Sequence, residues 1–166
     1  MSTQYRQRGS LYSYFSDGDF VIVGAVGDDD KGSGSGSAYF FAPSTSGLWI
    51  PTQKITASDG ESADEFSSSV AISGDFTIFG APGDDDNGTD SGSAYLFERG
   101  TSGTWTQVQK ITAADGATDD YFGGSVSISG DVGIVGALSD DDNGTDSGSA
   151  YLFERGTSGT WNHFMR

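Results

Sequence analysis

The sequence predicts an all-β fold of three four-stranded antiparallel blades, and three observations carry that prediction. Residues 84–105 (DDDNGTDSGSAYLFERGTSGTW) recur unchanged at 140–161, and a diverged copy lies at 28–49, so one unit is written three times at a spacing of 56 residues. Within a unit, apolar residues come in short runs separated by Gly, Ser, Asp and Asn, which is the rhythm of strands and turns and not of helices. Hydrophobic residues make up 34% of the 166, enough for one domain in which each copy buries its apolar surface against its neighbours.

The second copy shows the elements most plainly. Ser69-Val70-Ala71-Ile72-Ser73 reads as a first strand and Phe76-Thr77-Ile78-Phe79-Gly80 as a second. Between them Gly74-Asp75 is a tight turn whose glycine can take positive φ. An acidic loop, 82–92, leads to a third strand at Ser93–Glu98, and the Gly100-Thr101-Ser102-Gly103 turn leads to a fourth at Thr104–Ile111. A polar connector, Thr112 to Asp120, precedes the next unit. The landmarks stay in step: Gly18-Asp19, Gly74-Asp75 and Gly130-Asp131; Ala38-Tyr39, Ala94-Tyr95 and Ala150-Tyr151; Trp49, Trp105 and Trp161. Gln53-Lys54-Ile55 matches Gln109-Lys110-Ile111, whereas the third copy closes on Asn162-His163-Phe164-Met165-Arg166.

Four antiparallel strands in about 50 residues, repeated with a short connector, is the construction of a β-propeller blade. The blades are placed at approximately 10–56, 66–112 and 122–166 of a single repeat domain spanning 1–166. A parallel β-helix would show a shorter repeat, and a sandwich has no reason to duplicate its loops.

The unit resembles the FG-GAP repeat, the blade motif of integrin α-subunit-like propellers. Phe122-Gly123 stands before a first strand and Gly80-Ala81-Pro82 after a second, with a trailing Gly-Ser-Ala-Tyr. The other copies vary the theme: Phe66-Ser67 and Ser10-Leu11 stand for the first motif, Gly24-Ala25-Val26 and Gly136-Ala137-Leu138 for the second. Gly80-Ala81 and its equivalents are read as small residues where blades crowd together. Tyr95, Phe97 and Trp105 are read as filling the space between blades.

The resemblance implies a ring of about seven blades, an extracellular or cell-surface setting, and a part in adhesion or recognition. Three blades cannot close, and an isolated arc would leave an apolar face at each end in water. Two chains related by a twofold axis could place blade three of each on blade one of the other, a six-bladed homodimer. The other reading makes the chain a piece of a longer cell-surface protein or enzyme.

A net charge of −16 opposes binding to nucleic acid and to anionic membranes, and suits cations or basic partners. No cysteine is present, so disulfides and thiolate metal sites are excluded. Two arginines in Met1–Arg8 precede no apolar run that could form a signal-peptide core, and no stretch approaches the roughly 20 residues of a membrane-spanning helix.

The most chemically suggestive segment is the acidic loop, Asp84-Asp85-Asp86-Asn87-Gly88-Thr89-Asp90 and its twin Asp140-Asp141-Asp142-Asn143-Gly144-Thr145-Asp146. Ca²⁺ takes about six to eight oxygen ligands, and carboxylates at alternate positions of a glycine-bent loop can converge on one ion. The candidate ligands are Asp84, Asp86 and Asp90, and Asp140, Asp142 and Asp146. Three features oppose calcium. Setting Gly88 or Gly144 as the glycine of a D-x-[DN]-x-[DN]-G pattern puts Gly83 or Ser139 where the leading carboxylate belongs. The resemblance implies calcium loops between the first and second strands, where this chain has only Gly-Asp. The first copy has Lys31 for the Asn, so its loop should bind metal least. The competing reading is a solvated turn whose Asp and Asn side chains cap their own backbone.

Asn87-Gly88-Thr89 and Asn143-Gly144-Thr145 fit the N-glycosylation pattern, which has a high chance rate. No enzyme is expected: the lone His163 lies in the irregular C-terminal segment, and near-identical repeats do not set an acid and a base in unlike environments. The function expected is a structural or protein-binding scaffold. The alternatives are a carbohydrate-binding propeller with a Trp105-type pocket at each blade junction, and an enzyme appendage.

Overall fold

The computed structural model describes residues 11–16 and 20–165, and for 11–16 the backbone alone; Arg166 and the start of the first blade lie outside them. The described chain is all β, in three separate four-stranded antiparallel sheets with no helix. Strands β1 (Leu11–Ser16), β2 (Val21–Ala25), β3 (Ser37–Pro43) and β4 (Trp49–Ile55) form the first sheet in sequence order. Strands β5 (Ser69–Ser73), β6 (Phe76–Ala81), β7 (Ser93–Arg99) and β8 (Trp105–Ile111) form the second. Strands β9 (Phe122–Ser129), β10 (Val132–Ala137), β11 (Ser149–Arg155) and β12 (Trp161–Met165) form the third. Strands consecutive in the chain pair most cheaply with each other, and every pairing within a sheet is of this kind, through short turns except where the acidic loop joins the second strand to the third. Gly74 (φ 59°) and Gly130 (φ 57°) take the left-handed conformation the hairpin turns require.

The sheets stack in chain order, each junction holding its own apolar cluster. The first cluster joins Ile22, Ala38, Phe40 and Ile55 of the first sheet to Phe79, Tyr95, Phe97 and Trp105 of the second and to Phe66 of the connector between them. The second joins Ile78, Ala94, Leu96 and Ile111 to Phe122, Val135, Tyr151, Phe153 and Trp161. Side chains alternate along a strand, so Ile78 and Phe79 serve opposite junctions, and both are fully buried. At the two ends that symmetry breaks in opposite senses. Ile22 is buried beside half-exposed Val23, while Ile134 is 41% exposed beside fully buried Val135. Among the described residues, one face of each end sheet is thus less covered than its equivalent in the middle sheet. The exposed Trp49, against its buried equivalents Trp105 and Trp161, reports the same thing.

Each junction reuses one set of contacts. The Gln53 side-chain amide donates to the Trp105 carbonyl at 2.7 Å and accepts from the Trp105 N–H at 2.8 Å; Gln109 does the same to Trp161 at 2.8 and 2.9 Å. Phe20 meets the Trp105 ring edge-on and lies 4.6 Å from the Arg99 guanidinium, and Phe76 meets Trp161 and Arg155 likewise, at 4.4 Å from the guanidinium.

The connector before each new sheet runs back along the preceding acidic loop. Asp119 N–H donates to Thr89 O at 2.9 Å, Tyr121 N–H to Asp90 O at 3.0 Å and Phe122 N–H to Ser91 O at 3.0 Å. Gly92 forms a parallel bridge with Phe122, and a Cβ on Gly92 would overlap the Phe122 carbonyl oxygen. A Cβ on Gly80 would overlap that of Gly123, so the small residues expected at the blade junctions are there to admit a neighbouring backbone. In the first junction Ser67 replaces the glycine at φ 73°, and its hydroxyl donates to Ser37 O at 2.6 Å and accepts from Ala25 N–H at 3.2 Å.

Gly92→Ala is expected to cost several kcal/mol in urea unfolding, because the new methyl must displace the Phe122 backbone; Gly148→Ala, which meets only its own sheet, should cost about 1 kcal/mol for its left-handed backbone. Equal losses for the two would show that the junction is not the source of the requirement.

Candidate functional site

The acidic loop becomes a site through three elements. It leaves β6, turns at Gly88 and returns into β7, while β8 brings Lys110 up beside it and the preceding connector brings Asp59. Asp84 is the hub, and it is buried. Its Oδ1 accepts from the Ser93 hydroxyl at 2.8 Å and the Asp86 N–H at 3.2 Å, and its Oδ2 from the Tyr95 hydroxyl at 2.9 Å and the Lys110 ammonium at 2.8 Å. Lys110 Nζ also lies 2.9 Å from Asp59 and 2.7 Å from Asp86. Asp59, Asp84, Asp86 and Lys110 line a cavity of about 280 Å³ together with Glu61 and Asp64.

Three carboxylates therefore converge on an ammonium ion. Burial alone would lower the Lys110 pKa, but hydrogen bonds with Asp84, Asp86 and Asp59 outweigh it and hold the group above the ordinary lysine range. Asp59 is held below the ordinary carboxylate range, its burial outweighed by Lys110. Tyr95 is pushed up by burial and by the adjacent Asp84 charge, so it stays a neutral donor. Asp64 is pushed up chiefly by burial, with Asp84 adding to it. The first sheet repeats the theme, with Lys54 2.9 Å from Asp28 and also paired with Asp30. In the third, the Tyr151 hydroxyl lies 2.8 Å from Asp140 and 2.9 Å from Asp115; Arg166, aligned with the two lysines, is outside the described residues.

The structure places the candidate calcium ligands expected from the sequence as follows. Asp84 and Asp86 do converge, but on Lys110, whose charge would repel a divalent ion from the same oxygens. Asp90 does not join them. Its N–H donates to Asp85 Oδ1 at 2.8 Å, its φ is 52°, and its carbonyl receives the connector. Asp146 repeats this on Asp141 at 2.7 Å, while Asp140 and Asp142 hold the turn through an N–H bond of 3.1 Å. Among the described residues no group of three or more His, Cys, Asp or Glu is placed to hold a metal ion. The self-capping turn, the competing reading, accounts for the loop backbone. Sequence reasoning missed the lysine; the repeated Gln-Lys-Ile carried the signal, since a cation kept in step with an acidic loop is a pairing partner for it.

Trp105 and Trp161 lie inside the junctions, Trp105 stacked on Phe40 at 4.7 Å, and present no open ring to a sugar. His163 is exposed beside the Tyr151 and Phe153 rings.

Serial four-stranded sheets joined through one recurring junction define a repeat-blade module. The family model described as FG-GAP repeat matches residues 16–41, 49–97 and 105–153, well over half of the chain. The chain belongs to the FG-GAP repeat family. No curated protein matches it. The matched units are offset by one strand from the sheets: 49–97 takes β4 from the first sheet and β5 to β7 from the second, so the unit spans a junction.

Replacing Lys110 by Met leaves buried Asp84 without its cation and is expected to cost roughly 3–5 kcal/mol at pH 7. The depressed Asp59 pKa means that its ion pair stabilises above about pH 3.9 and fades as pH falls through its lower folded value, so the gap between wild type and variant should narrow on acidification. Thermal unfolding of the wild type should not respond to a calcium chelator. A chelator-induced drop in melting temperature would show a metal ion at the loop instead.

Proposed function

We propose that the chain is a non-enzymatic β-propeller repeat module, a structural or protein-binding scaffold whose end blades are completed by blades outside those described. The observation that carries this reading is the opposite burial of Ile22 and Ile134, one repeat position covered at the first end and bare at the last. An apolar sheet face that is fully dry in the middle copy is a docking face in the end copies. Equivalent environments for Asp28 and Asp84, each paired with a lysine, support structure over catalysis, which needs unlike groups.

A second copy of the chain is one source of the missing blades, giving a six-bladed homodimer. Two substitutions at that closing junction favour another source. Ser10 stands where Phe66 and Phe122 fill the other junctions, and Met165 stands where Gln53 and Gln109 clamp the next tryptophan.

Repeating residues 109–165 directly after Phe164 restores the glutamine and adds a fourth blade. The extended chain is expected to gain roughly 3 kcal/mol in unfolding free energy by covering Val132, Ile134 and Leu152. An extended chain no more stable than the original would remove the docking role of the open face.

A further inference from the structure

The open end of the third sheet carries a specific receptor, and its ligand can be read from the two junctions that are filled. A cavity of about 440 Å³ is lined by Ser125, Gly136, Ala137, Gly148, Ser149 and Ala150, among others. Their equivalents in the second sheet are Ser69, Gly80, Ala81, Gly92, Ser93 and Ala94, and there the space is taken by Phe122-Gly123. The Ser69 hydroxyl donates to Gly123 O at 2.8 Å, Gly92 bridges Phe122, and the Phe122 ring is fully buried. In the first sheet Phe66-Ser67 fills the same place: a Cβ on Gly36 would overlap the Phe66 carbonyl, and Phe66 N–H donates to Ser35 O at 3.1 Å.

The third sheet has the same receptor with no segment in it among the described residues. Nearest to a Cβ on Gly148 is Leu138 O of its own sheet. Among the described residues, no backbone N–H of another sheet reaches the carbonyls of Thr145, Asp146 or Ser147, which correspond to the acceptors Thr89, Asp90 and Ser91. Leu138 and Ile134 beside it are exposed.

We infer that this cavity is a socket for the Phe-Gly dipeptide that opens another FG-GAP blade. The inference rests on the scaffold reading above and names the chemistry of its docking partner: an extended segment with an aromatic ring followed by a residue at positive φ. Both filled sockets meet that description, with Gly123 at φ 93° and Ser67 at φ 73°. The chain's own Ser10-Leu11 does not, since serine supplies no ring and leucine takes positive φ only with strain. The occupant is therefore a blade with Phe-Gly at its head, and a second copy of this chain is the poorer fit.

The full chain, ¹⁵N-labelled, is titrated to millimolar concentration with the peptide ATDDYFGGSV, residues 117–126. Amide shifts should concentrate at Gly136, Gly148, Ser149 and Ala150, and the Phe122→Ala and Gly123→Leu forms of the peptide should bind about tenfold more weakly or worse. Ile134→Lys in the protein should weaken binding without moving the unfolding midpoint, because that side chain is exposed in the free chain. Absence of shifts, shifts centred elsewhere, or equal binding by the variant peptides would overturn the socket. Light scattering on the peptide-free chain separates the two readings: a homodimer protecting these same amides would put a second copy in the cavity, overturning the Phe-Gly assignment while leaving the scaffold intact.

Discussion

The rest of the structure depends on a backbone entering a neighbouring sheet. A four-stranded meander of about 45 residues has two apolar faces and cannot bury either by itself, so its stability comes from what lies alongside. Here the approach is closest where Phe122-Gly123 passes Gly80 and Gly92 with no room for a single extra carbon. Once that contact is made, Phe122 seals the part of the junction beside β9, here called inner, Trp161 the part beside β12, here called outer, and Gln109 ties β8 to β12. Both faces of the middle sheet are dried in this way. Two of the three matched family units, 49–97 and 105–153, run from the last strand of one sheet to the third strand of the next and so have this junction at their centre and not any one sheet.

The charge pattern follows from the same geometry. The acidic loop must turn sharply next to the incoming connector, and short Asp side chains that bond their own backbone do this well: Asp84 to the Asp86 N–H, Asp85 to that of Asp90. The result is a dense group of negative charge at each junction. Lys54 and Lys110, delivered by the last strand of each sheet, neutralise it from within, and their contacts reach the connector as well as the loop in the second copy. The lysine is thus a tie between loop, strand and connector, and its three carboxylate partners serve it in place of solvent.

The strands were legible from the sequence because their signals are local. β5 runs over Ser69–Ser73 as expected, β8 begins at Trp105 instead of Thr104, and Gly74 turns with positive φ. The stacking was legible because the unit repeats. What could not be read was where long-range partners meet. Lys110 lies 26 residues from Asp84 along the chain, and only the pairing of β7 with β8 brings it to the loop. Asp90 is a candidate ligand by its place in a glycine-bent acidic loop, yet a left-handed backbone at that position commits its carbonyl to the Tyr121 N–H of the connector. The role of Phe-Gly was equally hidden, since the motif sits at the head of one sheet and functions in the surface of the one before.

The ends of the chain differ in what they keep. At the third sheet the inner half of the junction is unchanged, with Gly136, Ala137, Gly148, Ser149 and Ala150 matching the second copy residue for residue. The outer half has changed: Val132 replaces the Phe76 that an arginine and a tryptophan cover, and Met165 replaces the clamping Gln109. The glycines of the inner half match Gly80 and Gly92, which in the second copy leave room for the Phe122-Gly123 backbone. A face destined for another identical blade would have kept the glutamine. The combination fits the proposed neighbour, one that enters the inner socket as Phe66-Ser67 and Phe122-Gly123 do and meets the rim through apolar contacts of its own, near the exposed Phe164 and Met165.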